Sequence, residues 1–207
     1  MLKVRNKFLS CAIFTVFLAV CIGAAFAAAG LGTVVSASEA SKLPDETRVI
    51  IKGKIVDVGD MNHYTLEDSS GKMLLSIRKD LPGAADVKAG DEVEVAGEMD
   101  QESMYGTKLN VYAVLNGGQP PKYTSIAEAR SMPDDSRVVM KGQIRTRVDE
   151  DEYVFADDAD EMVVEIDNSI WGNVTHDKNA TVEIWGKTDI KKKTGIVQLD
   201  VIFIRQL

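Results

Sequence analysis

Arg48-Val49-Ile50-Ile51-Lys52-Gly53-Lys54-Ile55 and, 89 positions further on, Arg137-Val138-Val139-Met140-Lys141-Gly142-Gln143-Ile144 read almost alike. Both are rich in β-branched residues, and each sets a Lys-Gly pair behind its apolar start. The likeness spreads outward from them at one fixed offset, which is the signature of a duplicated unit. Upstream, Pro44-Asp45 matches Pro133-Asp134. Downstream, Tyr64, Asp68, Met73, Ile77 and Gly83 match Tyr153, Asp157, Met162, Ile166 and Gly172. Val93-Glu94, Gly97, Asp100 and Gly106 then match Val182-Glu183, Gly186, Asp189 and Gly195, and a one-residue slip aligns Leu109 and Val111 with Leu199 and Val201.

Within each copy the period is two, the strand period. Five strands are expected per copy: Arg48 to Asp57, Tyr64 to Asp68, Lys72 to Ile77, Asp91 to Asp100 and Thr107 to Leu115 in the first, and Arg137 to Arg147, Tyr153 to Asp157, Met162 to Asp167, Thr181 to Asp189 and Ile196 to Arg205 in the second. The break after the third strand suits a small Greek-key barrel of the OB type, whose closure removes sheet edges. Ser36 with Glu39 and Ser125 with Glu128 have capping-box spacing, which places a short helix before each barrel. The expected class is therefore all-β with short helices, as two tandem five-stranded OB barrels. The expected boundaries are 36–115 for the first and more divergent copy, 116–122 for a Gly/Pro-containing linker, and 123–207 for the second copy.

The chain begins with Lys3, Arg5 and Lys7 and an uncharged apolar run from Phe8 to Ala29. This reads as a secretory signal peptide over residues 1–27, cleaved near Ala25-Phe26-Ala27, with a retained membrane anchor as the lesser alternative. Cleavage after Ala37 would remove the first helix cap, which favours the earlier position. Both cysteines, Cys11 and Cys21, lie inside the leader, and Cys21 follows a run only loosely like a lipoprotein attachment site. The exported chain is then expected to have no thiol, disulfide or sulfur-based metal site, and a periplasmic address.

Across 207 residues there are 24 Lys+Arg against 32 Asp+Glu, for a formal charge of −8, which loss of the leader cations makes more negative. An acidic surface repels polyanions. The alternation also points Tyr64, Leu66, Tyr153 and Phe155 inward, and leaves Thr65, Glu67, Ser76 and Glu165 outside, where a single-strand binder needs aromatics and cations. Nucleic acid is accordingly not expected as a partner. His63 and His176 are the only histidines, fall at non-equivalent places and have no motif around them. With no phosphate loop or HExxH helix either, neither enzymatic activity nor a cofactor is expected.

The second copy, from Ser125-Ile126-Ala127-Glu128-Ala129 through Asp134-Asp135, Val138-Val139-Met140-Lys141-Gly142, Tyr153-Val154-Phe155 and Val164-Glu165-Ile166-Asp167 to Trp171-Gly172, Val182-Glu183-Ile184-Trp185-Gly186 and Leu199-Asp200-Val201, resembles the bacterial OB-fold (BOF) periplasmic proteins of the YgiW/YdeI stress-tolerance type. The first copy is similar more weakly, with Pro82 at the Trp171 position and Ala96 at the Trp185 position. The resemblance implies export, an OB barrel, no catalysis, and a part in envelope stress tolerance through binding envelope components.

Three surface features are candidates for binding. Lys191-Lys192-Lys193 lies between the fourth and fifth strands of the second copy, in a loop that flanks the ligand face of OB folds, with Arg145 and Arg147 expected across the mouth and Trp171 beside it. Such a cationic lip would hold an envelope glycan fragment or a small anion; a solvated Lys-rich hairpin tip is the plainer reading. Asp157, Asp158, Asp160 and Glu161 form an acidic turn that would make a weak divalent-cation site, although solvated turns of this kind are commoner. The strand faces would alternatively dock an outer-membrane or envelope protein, with two domains raising avidity.

Overall fold

The computed structural model describes residues 33–117, 120–172, 174, 177 and 180–207. The leader, Gly118 and Gln119 of the connecting segment, and His176 lie outside the described residues.

The order of elements is β1 (Val34–Val35), α1 (Ala37–Ala40), β2 (Arg48–Val58), β3 (His63–Asp68), β4 (Gly71–Ile77), β5 (Glu92–Asp100), β6 (Lys108–Asn116), α2 (Ile126–Ala129), β7 (Arg137–Arg147), β8 (Glu152–Ala156), β9 (Glu161–Glu165), β10 (Thr181–Ile190) and β11 (Val197–Gln206). In the second copy β7, β8, β9, β11 and β10 close into a five-stranded barrel, in which the β9–β11 pairing is parallel and the rest antiparallel. The first copy repeats this order in β2, β3, β4, β6 and β5, closed by β2 against β5. All ten expected strands are present to within two residues at each end. The added element is β1, which pairs in parallel with Ile50 and Ile51 of β2.

The repeated residues explain themselves once the chain is folded. Gly53 and Gly142 sit where a Cβ would lie 2.7 Å and 2.1 Å from the carbonyl oxygens of Glu67 and Ala156, so the neighbouring strand can approach only a glycine. The Pro-Asp pairs end in an acid that pins the fourth strand: Asp45 accepts from the Gln101 N–H at 2.8 Å, and Asp134 accepts from the Ile190 N–H at 2.9 Å. Both capping boxes are formed, by Ser36 with Glu39 and by Ser125 with Glu128.

Asp68 and Asp157 form a second repeated device. Asp157 accepts from the N–H of Ile126 (2.8 Å), Ala159 (2.9 Å) and Asp160 (2.9 Å), tying the start of α2 to the β8–β9 turn. Asp68 does the same with the N–H groups of Ala37 (2.7 Å), Ser70 (2.7 Å) and Gly71 (3.1 Å). Burial raises the pKa of each carboxyl, but the donors aimed at it outweigh burial and hold it below the ordinary Asp value. A group depressed on folding contributes stability above its unfolded pKa and loses it as pH falls through the folded one. Asp157→Ala is expected to cost about 1–3 kcal/mol at neutral pH. Asp157→Asn should flatten the dependence of Tm on pH below the ordinary Asp range. An acid limb unchanged in Asp157→Asn would refute this role.

Two hydrophobic clusters emerge, and they do not divide at the repeat boundary. Val49, Ile51, Val93, Val95, Met99, Leu109 and Val111 fill the first barrel. Ile50, Ala96, Ala113 and Leu115 of the same barrel belong instead to the cluster of the second, with Val139, Trp185 and Phe203. On β5 the alternation sends Val93, Val95 and Met99 inward, so Ala96 lies on the outer side with Glu94 and Glu98. Its pairing with Ile50 and Ala113 puts all three on that outer face. Trp185 shares the outer face of β10 with its neighbours Val139 and Phe203. The two barrels therefore dock sheet against sheet. Gly117, from the segment read as a linker, is itself buried against Gly83 and Val87, and Pro121 is buried as well.

Candidate functional site

The connection β10–β11 carries Lys191, Lys192 and Lys193, and the structure separates their roles. Lys191 reaches back to Asp189 at 2.7 Å and Glu165 at 3.7 Å. Glu152 and Glu165 stand directly opposite each other on β8 and β9, an unfavourable pair that Lys191 offsets. Its ammonium pKa is raised, first by the hydrogen bond to Asp189. Lys192 and Lys193 have no carboxylate within 4.0 Å among the described residues. They are the free cations of the loop.

Beside them runs a surface groove in two joined parts. One, of about 420 Å³, is lined by the three lysines with Glu152, Ile196 and Gln198. The other, of about 520 Å³, has a floor of Val154, Val163 and Ile196 and ends at Arg130 and Glu161. Ile196 belongs to both and is 56% exposed, an apolar side chain held at the lip. The groove thus offers an apolar floor on the outer face of β8 and β9 with two uncommitted ammonium groups at one end. Lys192 also borders a polar hollow with Asp134, Asp135, Glu165, Asp189 and Asp200 in its walls.

Arg145, Arg147 and Trp171, also expected at this mouth, are not among the residues that line the lysine groove. Arg145 lines a separate groove of about 540 Å³ with Tyr123, Ser125, Lys141, Gln143 and Asp158, and this groove shares no residue with the lysine groove. Arg147 donates to the carbonyl oxygens of Asp149 (2.9 Å) and Glu150, and its guanidinium lies 5.9 Å from the centre of the Tyr153 ring. Trp171 meets that ring edge-on at 5.0 Å and is only 5% exposed, so its indole is part of the wall of the second core. Two side chains of the acidic turn, those of Asp157 and Asp160, are committed internally. Asp157 holds the backbone as described, Asp160 pairs with Arg130, and Arg130 also donates to the Glu161 carbonyl. No group of three or more His, Cys, Asp or Glu side chains is arranged to hold a metal ion among the described residues.

Two features escaped sequence reasoning. Glu183 is fully buried on the outer face of β10. Its carboxylate accepts from the Tyr123 hydroxyl at 2.7 Å and from Trp185 Nε1 at 2.9 Å, and Arg205 Nε lies 2.9 Å away as an ion-pair contact rather than an aligned hydrogen bond. Burial first, and then the bond to Glu183, push the Tyr123 phenol up to about 12. The first copy has Val34, Glu94 and Ala96 at the matching places, and Glu94 pairs with half-exposed Lys52 at 3.4 Å. The second feature is an exposed apolar patch on the first barrel, where Met61 (68% exposed), Met104 (89%) and Tyr105 (50%) surround the loop ends, with the Tyr105 ring 4.6 Å from His63. The inward set Tyr64, Leu66, Tyr153 and Phe155 is buried as expected. No helix among the described residues is long and apolar enough to cross a membrane.

Comparison with known proteins gives a consistent result. The model of a family described as bacterial OB fold (BOF) protein matches residues 20–116 and again residues 115–206. Protein YgiW of Escherichia coli (strain K12) is 38% identical over 84 residues, which are 41% of this chain and 63% of that protein. An uncharacterized protein of Haemophilus influenzae is 32% identical over 86 residues, 42% of this chain and 70% of its own length. The solved structure of the hypothetical protein YgiW from E. coli aligns at 37% identity with a TM-score of 0.39, covering 42% of this chain and 90% of that one.

Proposed function

Given that this chain belongs, through both of its copies, to the bacterial OB fold (BOF) family, whose fold is a binding fold, we propose that it is a non-enzymatic periplasmic protein of envelope stress tolerance that binds an envelope glycan fragment or small anion in the lysine groove of the second barrel. The observation that carries this reading is the pair Lys192 and Lys193, cations without a carboxylate partner among the described residues, set at the end of an apolar groove. Lys191 fixes the loop, Ile196 and Val163 supply apolar contact to the less polar face of a sugar, and the ammonium groups meet phosphate or carboxylate.

The test is a thermal-shift screen of the chain from Ala28 to Leu207 against peptidoglycan fragments, lipopolysaccharide sugars and inorganic phosphate, since whatever binds only the folded form raises the midpoint. For a compound that shifts the parent, Lys192→Glu with Lys193→Glu is expected to weaken binding by about tenfold or more while leaving the unliganded midpoint in place. Equal affinity in the double variant would dispose of this groove. A second reading, docking of an envelope protein, is favoured by the exposed Met61, Met104 and Tyr105 patch. A cross-linked partner retained after the lysine changes and lost with Met104→Glu and Tyr105→Glu would select it.

A further inference from the structure

The outer faces through which the two barrels dock are the same face twice. Ile50, Ala96 and Ala113 of the first copy occupy the positions that Val139, Trp185 and Phe203 occupy in the second, and all six are buried in one cluster. The polar contacts at the rim are similar in kind, although the acids are not equivalent positions of the repeat and Arg48 also pairs with Glu98 of its own barrel at 3.4 Å. Arg137, which opens β7, reaches Asp80 of the first barrel at 3.3 Å, while its counterpart Arg48, which opens β2, is within electrostatic reach of Asp167 of the second. Asp80 and Asp167 each lie in the connection after the third strand of their own barrel. The same positions of a repeat buried on both sides of one contact are the mark of an approximately isologous, pseudo-two-fold interface.

We infer that the tandem is an intramolecular pseudo-dimer, in which each barrel's association surface is fitted to the other copy and holds without the covalent connection. Shape makes the pairing specific. The second copy presents an indole and a phenyl ring, and the first presents two alanines, so large groups meet small ones, with Tyr112 closing the edge 6.1 Å from Phe203. Two second-copy faces would bring four large rings together, and two first-copy faces would leave a void, so like pairing is penalised in both directions. The docked pair is one body, and the loop ends of the two barrels are held in fixed relation rather than swung on a tether. This inference is independent of the ligand groove, which lies on the outer face of β8 and β9.

The experiment uses the whole exported chain, with a protease site in a long Gly/Ser insert between Gly118 and Gln119. After cleavage the halves are expected to co-elute in gel filtration as a 1:1 pair at micromolar concentration, with the circular dichroism of the uncut chain. Ala113→Arg, on the outer face and away from either barrel interior, is expected to weaken that pairing by about thirtyfold or more, the scale of one interface hot spot. Separation of the cut parent into two folded halves at micromolar concentration would overturn the inference. So would an unchanged pairing affinity in a folded Ala113→Arg chain. Should that variant fail to fold, dilution of the cut parent decides alone.

Discussion

Glu183→Ala is expected to lower the stability of the chain by about 3–5 kcal/mol, because it strips the acceptor from a buried network and leaves a guanidinium contact uncompensated. Glu183 is fully buried, and the Tyr123 hydroxyl, Trp185 Nε1 and Arg205 Nε converge on its carboxylate at 2.7 to 2.9 Å. Without it Trp185 Nε1 is left buried with no acceptor, while Tyr123 and Arg205, both partly exposed, lose their partner at the rim of the same network. The first copy supplies the control. Glu94, its repeat counterpart, faces half-exposed Lys52 at 3.4 Å, so Glu94→Ala should cost no more than about 1 kcal/mol. Replacing Glu183 and Arg205 together by methionine should recover a large part of the single-variant loss, since a buried ion pair is worth little against apolar side chains of similar volume. Urea denaturation decides the matter through the midpoint at constant slope. A Glu183→Ala chain within 1 kcal/mol of the parent would mean that water reaches the carboxylate and the network is not closed.

Trp185→Ala should be comparably damaging, about 3–5 kcal/mol, for a different reason. The indole is 1% exposed although it points out of its own barrel, because the first barrel covers it. Its loss opens a cavity in the contact between barrels and removes one of the donors to Glu183. Trp171, the one tryptophan that remains, is buried against Tyr153 and reports on the second barrel by itself. The expected pattern is an early loss of the contact between barrels with Trp171 emission still native, followed by unfolding of the second barrel. Loss of both signals in one unshifted transition would refute the role assigned to Trp185.

These two sites also mark the limit of what the duplicated sequence conveys. The Pro-Asp pairs, the capping boxes, Gly53 and Gly142, and the inward Tyr64, Leu66, Tyr153 and Phe155 all act within one copy or between adjacent strands. Their effect depends on local geometry and a period of two, so they were legible. Asp157 was visible as a repeated acid, but its partners are backbone N–H groups of α2 and the β8–β9 turn, which residue types do not encode; a run of acids therefore read as a candidate cation site. Likewise Lys191, Lys192 and Lys193 are identical as letters, and only the opposed Glu152 and Glu165 distinguish the first from the other two.

By itself the sequence determined the two barrels, their strand order and the short helices, because hydrophobic period, turn glycines and repeated caps each restate the same local solution and reinforce it. It also placed the lysine loop between the fourth and fifth strands of the second barrel. The tertiary structure alone decided which faces are free. Ala96, at the position of Trp185, reads as the weakening of a repeat until the second barrel is docked against it, and Trp185 is outward on its own barrel and buried by the same docking. Whether an outward side chain meets water or another sheet depends on how two closed bodies pack, and neither strand period nor composition carries that information.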